Sequence, residues 1–255
     1  MVEPNEQDKL PTISDSGSGG YSAPSLYTPD IDGYQVTSKL GEGGMGTVWR
    51  ALQLSTHREV ALKVMNQMAF GSQKAQARFE REVELTARLN HPNIARIYDS
   101  GINRGLYYYA MELVEGQPLD DYVRQKGLNQ RKTMGLMKTV CDAIKYAHQL
   151  GVIHRDLKPS NIIVTKDDQP HILDFGIAKT FLETDGKLKV SVDGDVVGTP
   201  AYMSPEQAAG HIDSVDTRSD VYSLGVILYN LSTNQWPYDL PSSYYEALRN
   251  IQEAE

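Results

Sequence analysis

Cysteine is almost absent. Cys141 is the only one in 255 residues, which excludes an internal disulfide and a cysteine-based zinc site and fits a reducing compartment. As a lone thiol within a helical pattern, it is expected to be a small buried hydrophobe. Long hydrophobic runs are lacking too. Nothing approaches the roughly 18 consecutive apolar residues of a membrane span, and the N-terminus has no apolar secretory core. Both absences predict a cytoplasmic chain with no membrane span. Basic charge is in short supply as well: 25 Lys and Arg against 33 Asp and Glu give a net charge of −8. That leaves no basic footprint for nucleic-acid phosphates.

What is present is an ordinary globular composition, 40% hydrophobic and 23% charged, able to bury a sizeable core. Residues 1–30 differ: they are rich in Ser, Gly and Pro, show no periodicity, and predict a disordered tail or linker. From Tyr34, β-like runs at 34–40, 47–53 and 59–65 predict an antiparallel meander. The stretch 73–89 predicts a helix with Phe79, Glu82, Val83, Thr86 and Leu89 on one stripe. Strand-like runs follow at 94–99 and 106–113, and 130–150 reads as a helix capped by Gly151. Residues 221–231, apolar around most of the circumference, predict a helix buried inside the second half. A β-rich part (about 31–114) followed by an α-rich part (about 115–255) makes an α+β protein of two lobes, with a ligand cleft between them.

Four segments carry chemistry. Gly41-Glu42-Gly43-Gly44-Met45-Gly46 is a G-x-G-x-x-G run between two strands. Its glycines would let a hairpin backbone lie close over phosphates, although a plain glycine-rich turn explains the run equally well. Because no helix follows the run, a nicotinamide-binding fold is disfavoured. Lys63 stands inside the apolar strand Val60-Ala61-Leu62-Lys63-Val64, a poor site for a lone cation. Glu82 has the matching problem on its helix stripe, so a Lys63–Glu82 pair is expected, as a structural salt bridge or as part of a site. His154-Arg155-Asp156-Leu157-Lys158-Pro159-Ser160-Asn161 places polar residues between two short apolar runs, a loop held by a rigid scaffold. A turn and a second strand then deliver Asp174-Phe175-Gly176 and bring Asn161 near Asp174. That oxygen pair suits Mg²⁺, leaving Asp156 free to accept a hydroxyl proton. Any one of these acids could instead be a turn-former, the reading favoured for Asp167 and Asp168.

In order and context these segments resemble the protein-kinase signature set. Gly198-Thr199-Pro200-Ala201-Tyr202-Met203-Ser204-Pro205-Glu206-Gln207 is similar to the family's Ala-Pro-Glu element, with Ser204 in place of alanine. That variant, followed by glutamine, resembles the bacterial branch of the eukaryotic-like serine/threonine kinases. The resemblance runs from about Tyr34 to the end of the chain. It implies a bilobal protein-kinase fold that transfers the γ-phosphoryl group of ATP to serine or threonine hydroxyls of proteins, with Mg²⁺ or, in its place, Mn²⁺.

Residue by residue, the resemblance implies that Lys63 holds the α- and β-phosphates and Glu82 fixes Lys63. Leu40, Val48, Ala61 and Ile163 would sandwich the adenine, Glu112 and Val114 would bond its edge, and Met111 would be the gatekeeper. Asp156 would be the catalytic base, assisted by Lys158; Asn161 and Asp174 would hold metal ions, and Asp220 would buttress the loop. Lys158 and Thr199 are residues that serine/threonine kinases place beside the catalytic aspartate. Arg155 would receive a phosphate on the activation segment, with autophosphorylation expected within 180–191, Thr184 and Ser191 foremost, in a homodimer acting in trans. Glu206 pairs in the family with an arginine further along; Arg249 comes too early, so an uncompensated Glu206 and an incomplete C-terminal lobe are expected. The alternatives are a catalytically silent kinase-like scaffold and a small-molecule phosphotransferase, the latter disfavoured by Lys158 and Thr199.

Overall fold

Period-two alternation sorts the strand residues of the first lobe onto two faces. The computed structural model describes residues 28–43, 46–65, 73–177, 200–211, 214–241 and 243–253. The expected tail falls outside them up to residue 27, as do Gly44, Met45, Thr184, Ser191 and Thr199. Strands β1 (Tyr34–Gly43), β2 (Gly46–Gln53), β3 (Arg58–Met65), β4 (Ile97–Asn103) and β5 (Leu106–Glu112) form one antiparallel sheet of order β1-β2-β3-β5-β4. Val60, Leu62 and Val64 join Trp49 and Ala110 in a cluster on one face. Ala61 and Met65 join Tyr107, Tyr109 and Met111 on the other, where helix α1 (Gln73–Ala87) adds Phe79 and Val83. Phe79 meets the Tyr107 ring edge-on at 5.3 Å. Lys63 has the parity of this second face, directly opposite Tyr109.

The second lobe is built on helices. After the short strand β6 (Gln117–Pro118) come α2 (Leu119–Lys126) and α3 (Gln130–Gln149). Asn129 caps α3 by accepting from the Lys132 N–H at 3.0 Å, and Gly151, at φ 74°, ends the last turn in the left-handed conformation that glycine favours. The hairpin β7 (Ile162–Val164) and β8 (Pro170–Ile172) follows, then α4 (Pro205–Ala208), α5 (Thr217–Thr233) and α6 (Tyr244–Glu253). Asp216 caps α5 through the Arg218 N–H at 2.8 Å. Val140, Ile144, Ile162, Ile172, Phe175, Leu224 and Ile227 share one core, which ties α3 and α5 to the hairpin. Among the described residues no helix is long and apolar enough to cross a membrane.

Three expectations need correction. The run at 94–99 is not one strand: Ile94 makes an isolated parallel bridge to Ile172, and β4 begins only at Ile97. Cys141 is exposed, because the buried stripe of α3 passes through Met137, Val140, Ala143 and Ile144 and leaves position 141 outside it. The helix at 221–231 starts earlier, at Thr217, and is not buried all round. Val221 is 60% exposed, while Leu224 and Ile227, three and six residues further on, join the core shared with α3 and the hairpin.

Leu62 and Ile227 have no exposed area. Replacing either by alanine should cost about 2–5 kcal/mol and lower the thermal midpoint read by circular dichroism. Tyr245→Ala, at a residue 72% exposed, should shift stability by no more than about 0.5 kcal/mol.

Candidate active site

The loop that carries Asp156 hangs from one buried carboxylate. Asp220, on the first turn of α5, is 1% exposed; its Oδ2 accepts from the His154 N–H at 2.8 Å, and its Oδ1 from the Arg155 N–H at 2.9 Å. His148 Nε2 of α3 lies 2.7 Å from Oδ2. These bonds hold Arg155 at φ 63°, a left-handed value that a non-glycine residue keeps only when its surroundings over-determine it. The fully buried His154 ring spans the loop, with Nε2 2.9 Å from the Leu173 carbonyl and Nδ1 accepting from the Asp156 N–H at 3.2 Å. Burial pushes the pKa of His154 down, against the pull of Asp220 and Asp156, and so keeps the ring neutral. Gly176 N–H reaches the His154 carbonyl at 2.7 Å, and a Cβ at this position would stand 2.6 Å from that same oxygen. The close approach requires glycine.

Between the lobes lies a cleft of about 480 Å³. The sequence-predicted Leu40, Gly41, Val48, Ala61, Met111, Glu112, Val114 and Ile163 all line it, and Asn161 and Asp174 close its inner end. Arg50, Leu113 and Gly116 join them unforeseen. Arg50 is held at the rim by Glu115 at 2.7 Å. At Gly116 a Cβ would be driven into the Val164 carbonyl, so the segment joining the lobes lies directly against β7. Gly46 is likewise pressed on the Val64 carbonyl. Glu42 pairs with Lys39, and Gly43 pairs with Gly46 at the tip of the hairpin.

At the inner end the wiring differs from expectation. Lys63 pairs with Asp174 Oδ2, and Glu82 lies 3.4 Å from Arg155, so the expected Lys63–Glu82 bridge is absent. Glu82 occupies the inward side of α1 as its stripe requires, but it faces the loop cation of the second lobe. The hydroxyl of Tyr109 donates to Asp174 Oδ1. Burial, reinforced by Asp174, raises the pKa of this phenol well above its ordinary value, so it remains a donor. Asp156 Oδ2 lies 3.1 Å from Lys158 Nζ. Asn161 Nδ2 donates to the Asp156 main-chain carbonyl at 2.8 Å, while the main-chain carbonyl of Asn161 accepts from the Leu173 N–H at 2.8 Å, tying the loop to the segment that leads into Asp174. Asp174 stands at φ 57°.

These donors fit a divalent cation. The carboxylate of Asp174 and the amide oxygen of Asn161 are hard ligands, and a cation held by two protein groups completes its shell with water and phosphate oxygens. Among the described residues there is no cluster of three or more His, Cys, Asp or Glu able to hold a metal without such help.

Sequence reading missed several supports. Gln207 is one: its Oε1 accepts from the Ser204 N–H at 3.1 Å, and its Nε2 donates to the Arg155 carbonyl at 2.8 Å, fastening α4 to the loop. Ser219 is another. Burial would raise the Glu206 carboxyl, but the Ser219 hydroxyl donates to it and holds it below the usual carboxylate range. Glu206 thus accepts a hydroxyl, but among the described residues no salt bridge joins it to a cation, and Arg249 pairs instead with Glu253 at 3.1 Å. The third is Tyr109, whose only signal was its place opposite Lys63, within an aromatic run that reads as core.

Residues 34–255 match a family model described as the protein kinase domain. The chain is 42% identical over 243 residues to the serine/threonine-protein kinase pkn3 of Myxococcus xanthus, an alignment covering 89% of this chain and 44% of that protein. It is 39% identical over 227 residues to the serine/threonine-protein kinase PknB of Mycolicibacterium smegmatis, covering 87% and 36%. A probable serine/threonine-protein kinase of Clostridium acetobutylicum is 36% identical over 222 residues, covering 87% and 33%. The chain thus spans less than half the length of these relatives. With one family model running through both lobes and bacterial kinases this similar along most of its length, the chain belongs to the protein kinase family.

Proposed function

We propose that this domain transfers the γ-phosphoryl group of ATP to serine or threonine hydroxyls of protein substrates, using Mg²⁺, with Mn²⁺ able to replace it. The observation that carries the proposal is a connected set of groups at one cleft: Asn161 and Asp174 line it, Lys63 pairs with Asp174, and Asp156 Oδ2 lies 3.2 Å from Asn161 Nδ2 and 3.1 Å from Lys158. Leu40, Val48 and Ala61 on the sheet side and Ile163 on the hairpin side would hold the adenine, with the backbone at Glu112 and Val114 taking its edge and Met111 closing the back. Gly41, Glu42, Gly43, Gly44, Met45 and Gly46 would cover the phosphates. Asp174 and Asn161 would hold the cation, which neutralises the charge that develops on the phosphate oxygens. Asp156 would orient the substrate hydroxyl and accept its proton, while Lys158, 3.1 Å away, would offer its amine to the transferred group.

The arrangement described is a resting one under this reading, because Lys63 is held by Asp174 and Glu82 by Arg155. A phosphate on Thr184 or Ser191 would be a stronger partner for Arg155 than Glu82 is, since it brings about −1.5 to −2 charge and three acceptor oxygens. Releasing Glu82 would let it capture Lys63. Two copies meeting in the cytoplasm would supply the phosphate in trans.

Asp156→Asn should reduce phosphate transfer from labelled ATP to a generic protein substrate by about 10²–10⁴-fold. Labelling that survives the substitution would refute the role of Asp156 and favour a scaffold. Phosphosite mapping of an active preparation should find modification within residues 180–191. Arg155→Ala should remove the gain that this modification brings, whereas an unmodified yet fully active chain would count against the switch.

A further inference from the structure

Tyr109 is 1% exposed, and a phenol hydroxyl buried that deeply is costly unless bonded. Its partner is Asp174 Oδ1, while Lys63 takes Oδ2. The two donors come as a set. Lys63 and Tyr109 lie directly opposite on β3 and β5, so the ladder fixes the spacing of the groups that grip the carboxylate. Tyr107 and Met111 share the face of Tyr109 and pack into the cluster under α1. Only Tyr109 of the three sends a polar atom to Asp174.

We propose that Tyr109 is a positioning residue for the metal-binding carboxylate: its hydroxyl holds Asp174 Oδ1 while Oδ2 passes from Lys63 to a bound divalent cation. The inference rests on the kinase reading above, in which Lys63 must leave Asp174 for the nucleotide phosphates and Glu82. Once the lysine departs, Tyr109 is the side chain that keeps the carboxylate plane in place. It acts on a residue at φ 57°, a backbone value that needs its neighbours to sustain it.

The test uses the full chain with Tyr109→Phe, which keeps the ring in the core and removes one oxygen. Binding of a fluorescent ADP analogue is titrated with Mg²⁺, and in parallel Mn²⁺ binding to the nucleotide complex is followed by electron paramagnetic resonance. The half-saturating metal concentration should rise about tenfold, the scale set by losing one hydrogen bond to a charged group. Binding without metal should be unchanged, and Tyr107→Phe should titrate like the parent. In an Asp174→Asn background, Tyr109→Phe should add nothing. Metal titrations of Tyr109→Phe that superimpose on the parent overturn the proposal. Tyr109→Met serves as a second variant that fills the same space. If both Tyr109 variants fail to fold while Asp174→Asn folds normally, the tyrosine is a core residue and the proposal also falls. A parent chain that binds no nucleotide at any metal concentration would instead overturn the kinase reading itself.

Discussion

The two oxygens of Asp220 take the backbone N–H groups of His154 and Arg155, and His148 closes on the same carboxylate from α3. A charge buried to this degree persists only where donors surround it. The loop supplies two of them, so bending the chain into its left-handed turn at Arg155 and satisfying Asp220 are one event. Asp156 is set beside Asn161 as a result, its Oδ2 3.2 Å from that amide nitrogen. The neutral His154 ring and the bare α-carbon of Gly176 then lock this loop to the segment carrying Asp174. Two acidic groups from sequence segments 18 positions apart are thus placed by a third that belongs to neither.

The sheet imposes a second constraint from above. Residues of one parity on β3 and β5 turn toward α1 and the cleft, which puts Ala61 and Met111 on the cleft wall and sets Lys63 opposite Tyr109. Ion pairs bridge the lobes. Lys63 and Arg155 are each engaged by a carboxylate from the opposite lobe, Asp174 and Glu82 respectively. A pair that crosses the cleft is sensitive to how the lobes close, in a way that a pair within one lobe is not.

Much of this was legible in the sequence. The glycine run, the strand lysine and the two acidic loops announce themselves because phosphoryl transfer demands those residue types at fixed local spacings. Strand and helix positions followed from period and punctuation, with errors at 94–99 and around α5. Pairings over long sequence separation were not legible. Lys63 and Asp174 are 111 positions apart, Tyr109 and Asp174 65, Gln207 and Arg155 52. Local pattern says that Lys63 and Glu82 each need a counter-charge; only the packing of α1 against the second lobe decides which one each receives. Cys141 failed for a related reason, since helical period fixes a stripe only once its phase is known.

The contact at Gly116 bears on how such a molecule breathes. With its α-carbon pressed against the Val164 carbonyl, the connecting segment is fused to the β7–β8 hairpin, and Ile163 travels with it. Any hinge must therefore lie on the N-terminal side of Gly116, nearer Leu113. Opening would lift the glycine hairpin and β3 away as a canopy while the β7–β8 hairpin stays put, so the cleft would widen first along Val48 and Ala61 and last along Ile163.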